Sequence, residues 1–330
     1  MTSADDFVAR LGRRIIDGDR RALARGITLI ESSRADHQQQ SAQLQDLLLE
    51  NTGQAMRLGI SGVPGVGKST FIETFGLSAI NRGLSVAVLA VDPSSPKSGG
   101  AILGDKTRME NLSKHDNAFI RPSPSGGTLG GVAKKTMEAM HLCEAAGFDV
   151  IVIETVGVGQ SETAVAELVD MFLLLISPGT GDELQGIKKG IVELADLLIV
   201  NKADGELLKS ARRTRSEYRS ALSMLRTHAD DWKPRVLQCS SLESRGFDEI
   251  WQAIEEFYQG QKKSGALTRK RGHQALGKMW QEIEALLISA LKQDSATSQL
   301  LEQITRDVEN NKISPSTAAR TLLQQFFKTR

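Results

Sequence analysis

The chain has 330 residues, with 41 basic and 40 acidic side chains. A chain of this length can bury a large core. The balanced charge provides no basic excess for nucleic acid and no polybasic block for a membrane surface, so neither partner is expected. The N-terminus has no apolar stretch of signal-peptide length, and the two cysteines, Cys143 and Cys239, lie far apart. We therefore expect a cytoplasmic protein in a reducing compartment.

The first segment, 1–50, is expected to be helical. Apolar residues recur at helical spacing at Phe7, Leu11 and Ile15, and after a polar break at Leu23 and Ile27. The simplest interpretation is a group of helices that packs against a larger domain.

The second segment, 51–260, alternates short apolar runs with helical patterns. Runs rich in Val, Ile and Leu predict strands buried on both faces, and the helices between them predict parallel connections. We expect a doubly wound, mostly parallel α/β domain, whose ligands bind beyond the carboxyl ends of the strands. The predicted strands are 57–61, 85–92, 118–121, 149–154, 171–177, 197–201 and 235–240.

The third segment, 261–330, is predicted to be wholly helical. Apolar residues follow one another at helical spacing, and a further helix is expected to begin at Pro315, with Ser314 as its N-cap. Such an apolar stripe needs a partner, either the main domain or a second chain. Its members are Leu276, Trp280, Ile283, Leu287 and Leu291.

A phosphate-binding loop is predicted directly after the first strand of the second segment. The sequence has the form Gly-x-x-x-x-Gly-Lys-Ser between a strand and a helical pattern, which is the context this motif requires. Glycines there let backbone N–H groups converge on phosphate oxygens, the lysine adds a positive charge, and the serine hydroxyl binds magnesium. The candidate residues are Gly62, Val63, Pro64, Gly65, Val66, Gly67, Lys68, Ser69 and Thr70.

A guanine-binding motif is predicted at the end of a later strand. Asn201-Lys202-x-Asp204 places an aspartate that can accept hydrogen bonds from the ring N–H and the exocyclic amine of guanine. Adenine lacks both donors, and a site built on such hydrogen bonds rejects an analogue without them by ~10⁴ or more. After the last strand, a second loop supplies a backbone N–H for the guanine oxygen. Its candidates are Ser240, Ser241 and Leu242.

Three acids are candidates for the magnesium side of the site. Asp92 ends a predicted strand, Asp105 closes the Ser-, Pro- and Gly-rich loop that follows, and Glu154 ends another strand three residues before Gly157. A loop of this composition is expected to become ordered by a γ-phosphate and its metal. Glutamate is long enough to act on the metal through a water.

The residue after Gly157 bears on the rate of nucleotide hydrolysis. Ras-like GTPases use a glutamine to orient the attacking water. Here the position holds Val158, which has no hydrogen-bonding side chain, and Gln160 lies three residues past the glycine. We therefore expect slow hydrolysis by the isolated chain.

Together these stretches resemble the methylmalonyl-CoA mutase-associated GTPases, and the resemblance covers nearly the whole chain. The stretches that carry it are SGVPGVGKSTF, VLAVDPSSPKSGGAILGDKTRM, RPSPSGGTLGG, IVIETVGVGQSE, PGTGDELQGIKKGI and VNKAD.

The resemblance implies GTP hydrolysis coupled to protecting, loading or reactivating an adenosylcobalamin-dependent methylmalonyl-CoA mutase. It also implies a homodimer formed by the C-terminal helices. The stretch around Glu154 is then the second switch, serving the metal site. Residues 178–190 form a third switch that relays the nucleotide state to the mutase, with Lys188 as its candidate residue.

Three other functions compete with the one that the resemblance implies. A nickel-delivering GTPase needs Cys and His at ligand spacing, but the five histidines are scattered and no Cys-x-x-Cys occurs. A kinase acting on an amino-acid transport system stays as the alternative function, although it would more plausibly use ATP. A GTP-binding scaffold without turnover differs from the first hypothesis in releasing no phosphate.

Overall fold

The structure is a computed structural model that describes residues 4–91, 109–122, 129–155, 161–179, 189–224 and 232–328. Its centre is a seven-stranded sheet in which every named strand pairs in parallel with its neighbours. The spatial order is β3-β2-β4-β1-β5-β6-β7, so β4 inserts between β1 and β2, and the later strands run outward from β5 to β7. The strands are β1 (Met56–Gly62), β2 (Val86–Val91), β3 (Ala118–Pro122), β4 (Val150–Thr155), β5 (Met171–Ile176), β6 (Leu197–Val200) and β7 (Arg235–Gln238).

The predicted fold class is confirmed, and each predicted strand has its counterpart within a few residues. Helices flank the sheet and follow the strands as crossovers, as parallel pairing requires. Before the sheet lie α1 (Ala4–Ile16), α2 (Arg20–Glu31) and α3 (Ala35–Leu48). The crossover helices are α4 (Lys68–Asn81), α5 (Glu110–Lys114), α6 (Leu129–Ala145), α7 (Ser161–Leu168), α8 (Lys189–Leu194) and α9 (Leu208–Met224). After β7 come α10 (Phe247–Lys263), α11 (Ala266–Gln293), α12 (Ser295–Glu309) and α13 (Pro315–Lys328).

The central strands are buried on both faces, which explains their unbroken apolar sequences. Alternate residues of β5 lie in two separate cores: Leu173 belongs to the core beneath α4 and α10, and Leu174 to the core beneath α1–α3 and α6. In the first core Phe75 of α4 stacks on Trp251 of α10, with ring centroids 4.4 Å apart. This packing holds α4 against the sheet directly below the predicted phosphate loop.

A buried ion pair joins β1 to α6. The Arg57 guanidinium donates from Nε and Nη2 to the two oxygens of Glu144, each at 2.8 Å, and the side chains are only 6% and 0% exposed. The Gly53 N–H also donates to Glu144, at 2.9 Å. Removing one partner of such a pair leaves an uncompensated charge in a medium of low polarity.

We expect Glu144→Gln to lower the free energy of unfolding by about 3–5 kcal/mol, because the Arg57 charge would stay buried without its counter-charge. The matched control is Glu110→Gln, which breaks the exposed Lys114–Glu110 pair, 69% and 70% exposed, and should cost less than about 0.5 kcal/mol. Urea unfolding of the two variants measures the difference. Equal losses of unfolding free energy in the two variants would show that the buried pair contributes no more to stability than the surface pair.

A second buried network lies at the amino-terminal edge of the sheet. Asp170, fully buried just before β5, accepts from Arg271 Nε at 2.8 Å and from the Tyr258 hydroxyl at 2.8 Å. Lys270 donates to the Asp170 carbonyl at 2.7 Å. Burial, and next the Asp170 charge, raise the pKa of Tyr258 well above its usual value, so the phenol stays a donor. The network fixes the start of α11 to the edge opposite the predicted site.

The chain divides into two compact units, Met1–Arg271 and Gly272–Arg330. The second unit contains α12 and α13, which pack on each other around Ile304, Ala318 and Phe326. As predicted, α13 begins at Pro315, and the Ser314 hydroxyl accepts from the Thr317 N–H at 3.2 Å. The predicted segment boundaries near 50 and 260 remain predictions about functional organisation. No helix within the described ranges is long and apolar enough to cross a bilayer.

Candidate nucleotide-binding site

The predicted phosphate loop lies at the carboxyl end of β1, in the middle of the sheet. β1 ends at Gly62, and α4 begins at Lys68 with Gly67 as its N-cap. Within the loop Val66 is fully buried and anchors the turn, whereas Pro64 and Gly65 are exposed. A helix N-terminus behind such a turn presents unpaired N–H groups and favours an anion.

Two of the loop glycines are required by their surroundings. A Cβ at Gly62 would lie 2.7 Å from the Leu175 carbonyl oxygen on the neighbouring strand. Gly67 has a φ of +90° in the left-handed region, and a Cβ there would meet Asn201 Nδ2 at 3.0 Å. The close approach of Gly67 to Asn201 brings the phosphate loop against the predicted guanine motif.

Lys68 folds back over the loop from the first turn of α4. Its Nζ donates to the Gly62 carbonyl at 2.6 Å and to the Val63 carbonyl at 3.4 Å. Burial lowers the pKa of the Lys68 ammonium, and the nearby charges of Glu154 and Glu162 act in the opposite direction. The ammonium is therefore held over the loop, where it can also donate to phosphate oxygens.

Asn201 connects three predicted parts of the site. It is 1% exposed, and its Nδ2 donates to the Val66 carbonyl of the phosphate loop at 3.0 Å. Its Oδ1 accepts from the Ser241 hydroxyl at 2.8 Å and from the Ser241 N–H at 3.3 Å. One amide side chain thus ties the phosphate loop, the 201–204 loop and the 240–242 loop together.

Lys202 and Asp204 follow Asn201 toward the surface. Lys202 has a φ of +56°, and its Nζ donates to the Gly65 carbonyl at 2.6 Å, so its aliphatic stem bridges the two loops. Asp204 is half-buried, and its Oδ2 accepts a hydrogen bond from the Ser240 hydroxyl. A carboxylate has about four lone-pair positions. Asp204 therefore retains acceptor capacity for the donors on a guanine edge.

The 240–242 loop is braced from below. The Ser240 hydroxyl also accepts from the Glu243 N–H at 3.0 Å, and the Ser241 carbonyl accepts from Thr74 of α4 at 2.9 Å. The Leu242 side chain is 82% exposed, so only its backbone is suited to the predicted role. Burial raises the pKa of Cys239 to about 12, so this thiol beside Asn201 stays protonated at neutral pH.

The described part of the magnesium side contains Ser69 and Glu154. Glu154 is 8% exposed near the end of β4, where it pairs in register with Ile60 of β1. A hydroxyl and a carboxylate are hard oxygen donors of the kind that magnesium prefers. Across the described ranges, no three His, Cys, Asp or Glu side chains are grouped as a metal site. Asp92, Asp105, Lys188, Val158 and Gln160 lie outside the described residues.

Two features of the site were not predicted. Glu162, 1% exposed in the first turn of α7, lies close enough to raise the pKa of Lys68. An acid in the first turn of a helix after a glycine-containing loop was the available signal. The second feature is the hydrogen bond from Thr155 to Ser61, at 2.8 Å between two buried hydroxyls at the ends of β4 and β1.

Comparison with known proteins identifies the family. The family model described as "Methylmalonyl Co-A mutase-associated GTPase MeaB" matches residues 23–296. The chain belongs to the methylmalonyl-CoA mutase-associated GTPase family.

Relatives along the full chain include "GTPase ArgK" of Escherichia coli, 49% identical over 317 residues and covering 96% of each chain. The mouse protein "Methylmalonic aciduria type A homolog, mitochondrial" is 47% identical over 331 residues, covering 97% of this chain and 80% of the mouse protein. A crystal structure of a protein named "LAO/AO transport system kinase" superposes with a TM-score of 0.74 at 42% identity, covering 96% of each chain.

Proposed function

We propose that this chain binds GTP and GDP with Mg²⁺ at the described site and hydrolyses GTP. The observation that carries the proposal is the Asn201 side chain, which joins the phosphate loop to both base-binding loops through contacts of 2.8–3.3 Å. A nucleotide needs its phosphate and base sites at a fixed separation, and this cross-link sets that separation before any ligand binds.

In this proposal each group has one task. The amides after Gly62 cradle the phosphates, and Lys68 stabilises charge on the β- and γ-phosphates. Ser69 and Glu154, with Asp92 and Asp105 from the first-switch segment, hold the magnesium ion, which neutralises phosphate charge when bound. Asp204 accepts from the guanine edge, and Ser240, Ser241 and Leu242 supply the loop whose backbone faces the guanine oxygen. Asn201 and Lys202 brace the base site.

We propose further that the chain is a G-protein chaperone of an adenosylcobalamin-dependent methylmalonyl-CoA mutase, which it protects, loads or reactivates. Support comes from the name of the family that matches residues 23–296 and from the name of the mouse relative. The third switch, with Lys188, is proposed as the relay to the mutase. The two free, buried thiols fit a reducing compartment, and a cytoplasmic location is part of the proposal.

Hydrolysis by the isolated chain is expected to take minutes or longer per turnover, because Val158 offers no group to orient water. Binding of the mutase should raise the rate by about tenfold or more, since a partner that completes a GTPase site can supply much larger factors. Phosphate release is measured for the wild type and Lys188→Ala, each with and without the mutase. A mutase that leaves the wild-type rate unchanged would contradict the proposed coupling.

Kinase activity on an amino-acid transport system is the alternative, and it rests on the name of one structural relative. The contact between Asp204 and Ser240 argues against it. A carboxylate held at the base site selects guanine, whereas a kinase of this kind is expected to use ATP.

We propose that the C-terminal helices form a homodimer. Several large apolar side chains of the second unit are exposed, a feature typical of an interaction surface. They are Leu276 at 55%, Met279 at 45%, Trp280 at 60%, Leu286 at 60%, Leu287 at 51%, Ile288 at 56%, Leu323 at 45% and Phe327 at 67%. Ile283 and Leu291, also predicted members of the stripe, are half-buried.

The triple variant Leu276→Lys, Trp280→Lys and Leu287→Lys should convert the dimer into a monomer, because three charges would then have to be buried at the interface. The matched control is Leu49→Lys, which adds a charge at an apolar residue that is 64% exposed on the first unit. Analytical ultracentrifugation of the full chain measures both. A wild type that sediments as a monomer at micromolar concentration would refute the dimer.

A further inference from the structure

A cavity of ≈ 270 Å³ lies behind the guanine loops, between α9, the end of β7 and the start of α10. It shares Ala203 and Ser240 with the base-binding loops but opens among side chains that the proposed function does not use. The full lining is Ala203, Leu208, Arg212, Arg215, Leu237, Gln238, Cys239, Ser240, Arg245, Gly246 and Glu249.

The charged residues in this lining are three arginines and one glutamate, which give a formal net charge of +2. Within the described residues, Arg212 and Arg215 form no ion pair and no side-chain hydrogen bond. Arg245 pairs with Glu243 and donates to the Ala203 carbonyl at 3.4 Å. Two guanidiniums therefore border a concave space without an ion-pair partner among the described residues, and Glu249 is the one acid in the lining.

Gln238 adds a second, independent observation. Its Oε1 is buried and has no hydrogen-bond donor among the described residues, although the residue lines the cavity. A buried amide oxygen without a donor is costly, and rotating the amide would place its two N–H donors there instead. That position is out of reach of a ligand, so Gln238 would pair with ligand oxygens only after a rotamer change that turns the amide toward the cavity.

We propose that this cavity binds a small phosphate-type dianion. Guanidinium groups match the geometry of phosphate oxygens and bind them bidentately. A phosphate group carries about −1.5 to −2 charges at neutral pH, which balances the lining, whereas a single carboxylate would not. The cavity is slightly smaller than the ~300 Å³ at which pockets for drug-sized ligands begin, so it suits a free phosphate or a short phosphate monoester better than a second nucleotide.

The occupied cavity would act on the guanine site through Arg245. This side chain reaches the carbonyl of Ala203, the residue before Asp204, and its backbone forms an antiparallel bridge with Ser240 at 3.0 and 3.1 Å. An anion that draws Arg245 toward the cavity would change the support of the loop that carries Asp204.

The test measures phosphate binding to the full chain while a non-hydrolysable GTP analogue saturates the nucleotide site. The analogue covers the phosphate loop, so retained phosphate reports a second site. Equilibrium dialysis with radiolabelled inorganic phosphate, and in parallel with ethyl phosphate, is carried out at ionic strength fixed with potassium chloride. The tighter of the two probes identifies a free phosphate or a monoester as the source of the group.

Three proteins are compared: wild type, Arg212→Gln with Arg215→Gln, and Arg213→Gln with Arg219→Gln. The last pair removes the same charge from the same helix, but neither residue lines the cavity. We expect one phosphate per chain in the wild type and the control pair, and binding about tenfold or more weaker in the cavity pair, because charge-assisted hydrogen bonds are lost.

The single variant Arg212→Gln, at an exposed residue, should show a smaller loss in the same direction and guards against misfolding of the double variant. Absence of binding in the wild type, or equal binding in all variants, would overturn the proposal. The measured phosphate affinity depends on Arg212 and Arg215 and does not depend on Lys68 or Asp204. It therefore separates failure of this site from failure of the nucleotide site.

Discussion

Replacing Asp204 with asparagine is expected to cost most of the affinity for GTP and to move it toward xanthine nucleotides. The asparagine amide would present donors to the donors of guanine, whereas xanthine offers a carbonyl where guanine has its amine. Sites built on such hydrogen bonds discriminate by ~10⁴. The change should appear in binding titrations as loss of GTP affinity with partial recovery by xanthosine triphosphate.

Ser240→Ala is the matched comparison for this variant. It removes only the hydroxyl that donates to Asp204. It should therefore lower the affinity for GTP by about tenfold or less while keeping the preference for guanine. A wild type that binds ATP as tightly as GTP would contradict the guanine assignment, whatever the variants do.

The sheet was predictable because its strands are buried on both faces. Runs such as the β5 residues Met171–Ile176 place apolar side chains in both cores, and their length suits a buried strand better than a helix. The phosphate loop could be predicted because its glycines are required by the local backbone conformation. Gly67, for example, has a positive φ, which favours glycine. Local rules of this kind can be applied to a short stretch of sequence alone.

Contacts between distant residues could not be predicted in this way. The Arg57–Glu144 pair joins residues 87 positions apart, and Arg271 reaches Asp170 across 101 positions. In the sequence each looks like an ordinary surface charge, since charged residues are seldom buried unless paired.

Contacts between distant residues within the site could not be predicted either. Asn201 was predicted as part of the guanine motif, but its hydrogen bonds to Val66 and Ser241 span 135 and 40 positions. Glu162 was missed because an acid in the first turn of a helix usually faces solvent, and only the folded chain brings this one near Lys68. The third switch rests on the resemblance and the three metal acids rest on their positions in the sequence, and all of these assignments remain predictions.

Lys68→Ala is expected to abolish measurable GTP turnover, a loss of about 10³-fold or more, because charge developing on the transferred phosphate would lose its stabilising ammonium. It should lower the affinity for GTP more than the affinity for GDP, since the lost charge faces the β- and γ-phosphates. Lys209→Ala, at an exposed lysine outside the site, should behave as wild type. Thermal unfolding of both variants checks that the fold is kept.

Release of inorganic phosphate by the purified wild-type chain and by Lys68→Ala, with GTP and then with ATP and with magnesium present, tests the central claim most directly. We expect slow release from GTP by the wild type, little from ATP, and none above background from Lys68→Ala with either nucleotide. Equal release from ATP and GTP, or release from GTP that survives Lys68→Ala, would contradict a guanine-selective hydrolytic site built on this phosphate loop.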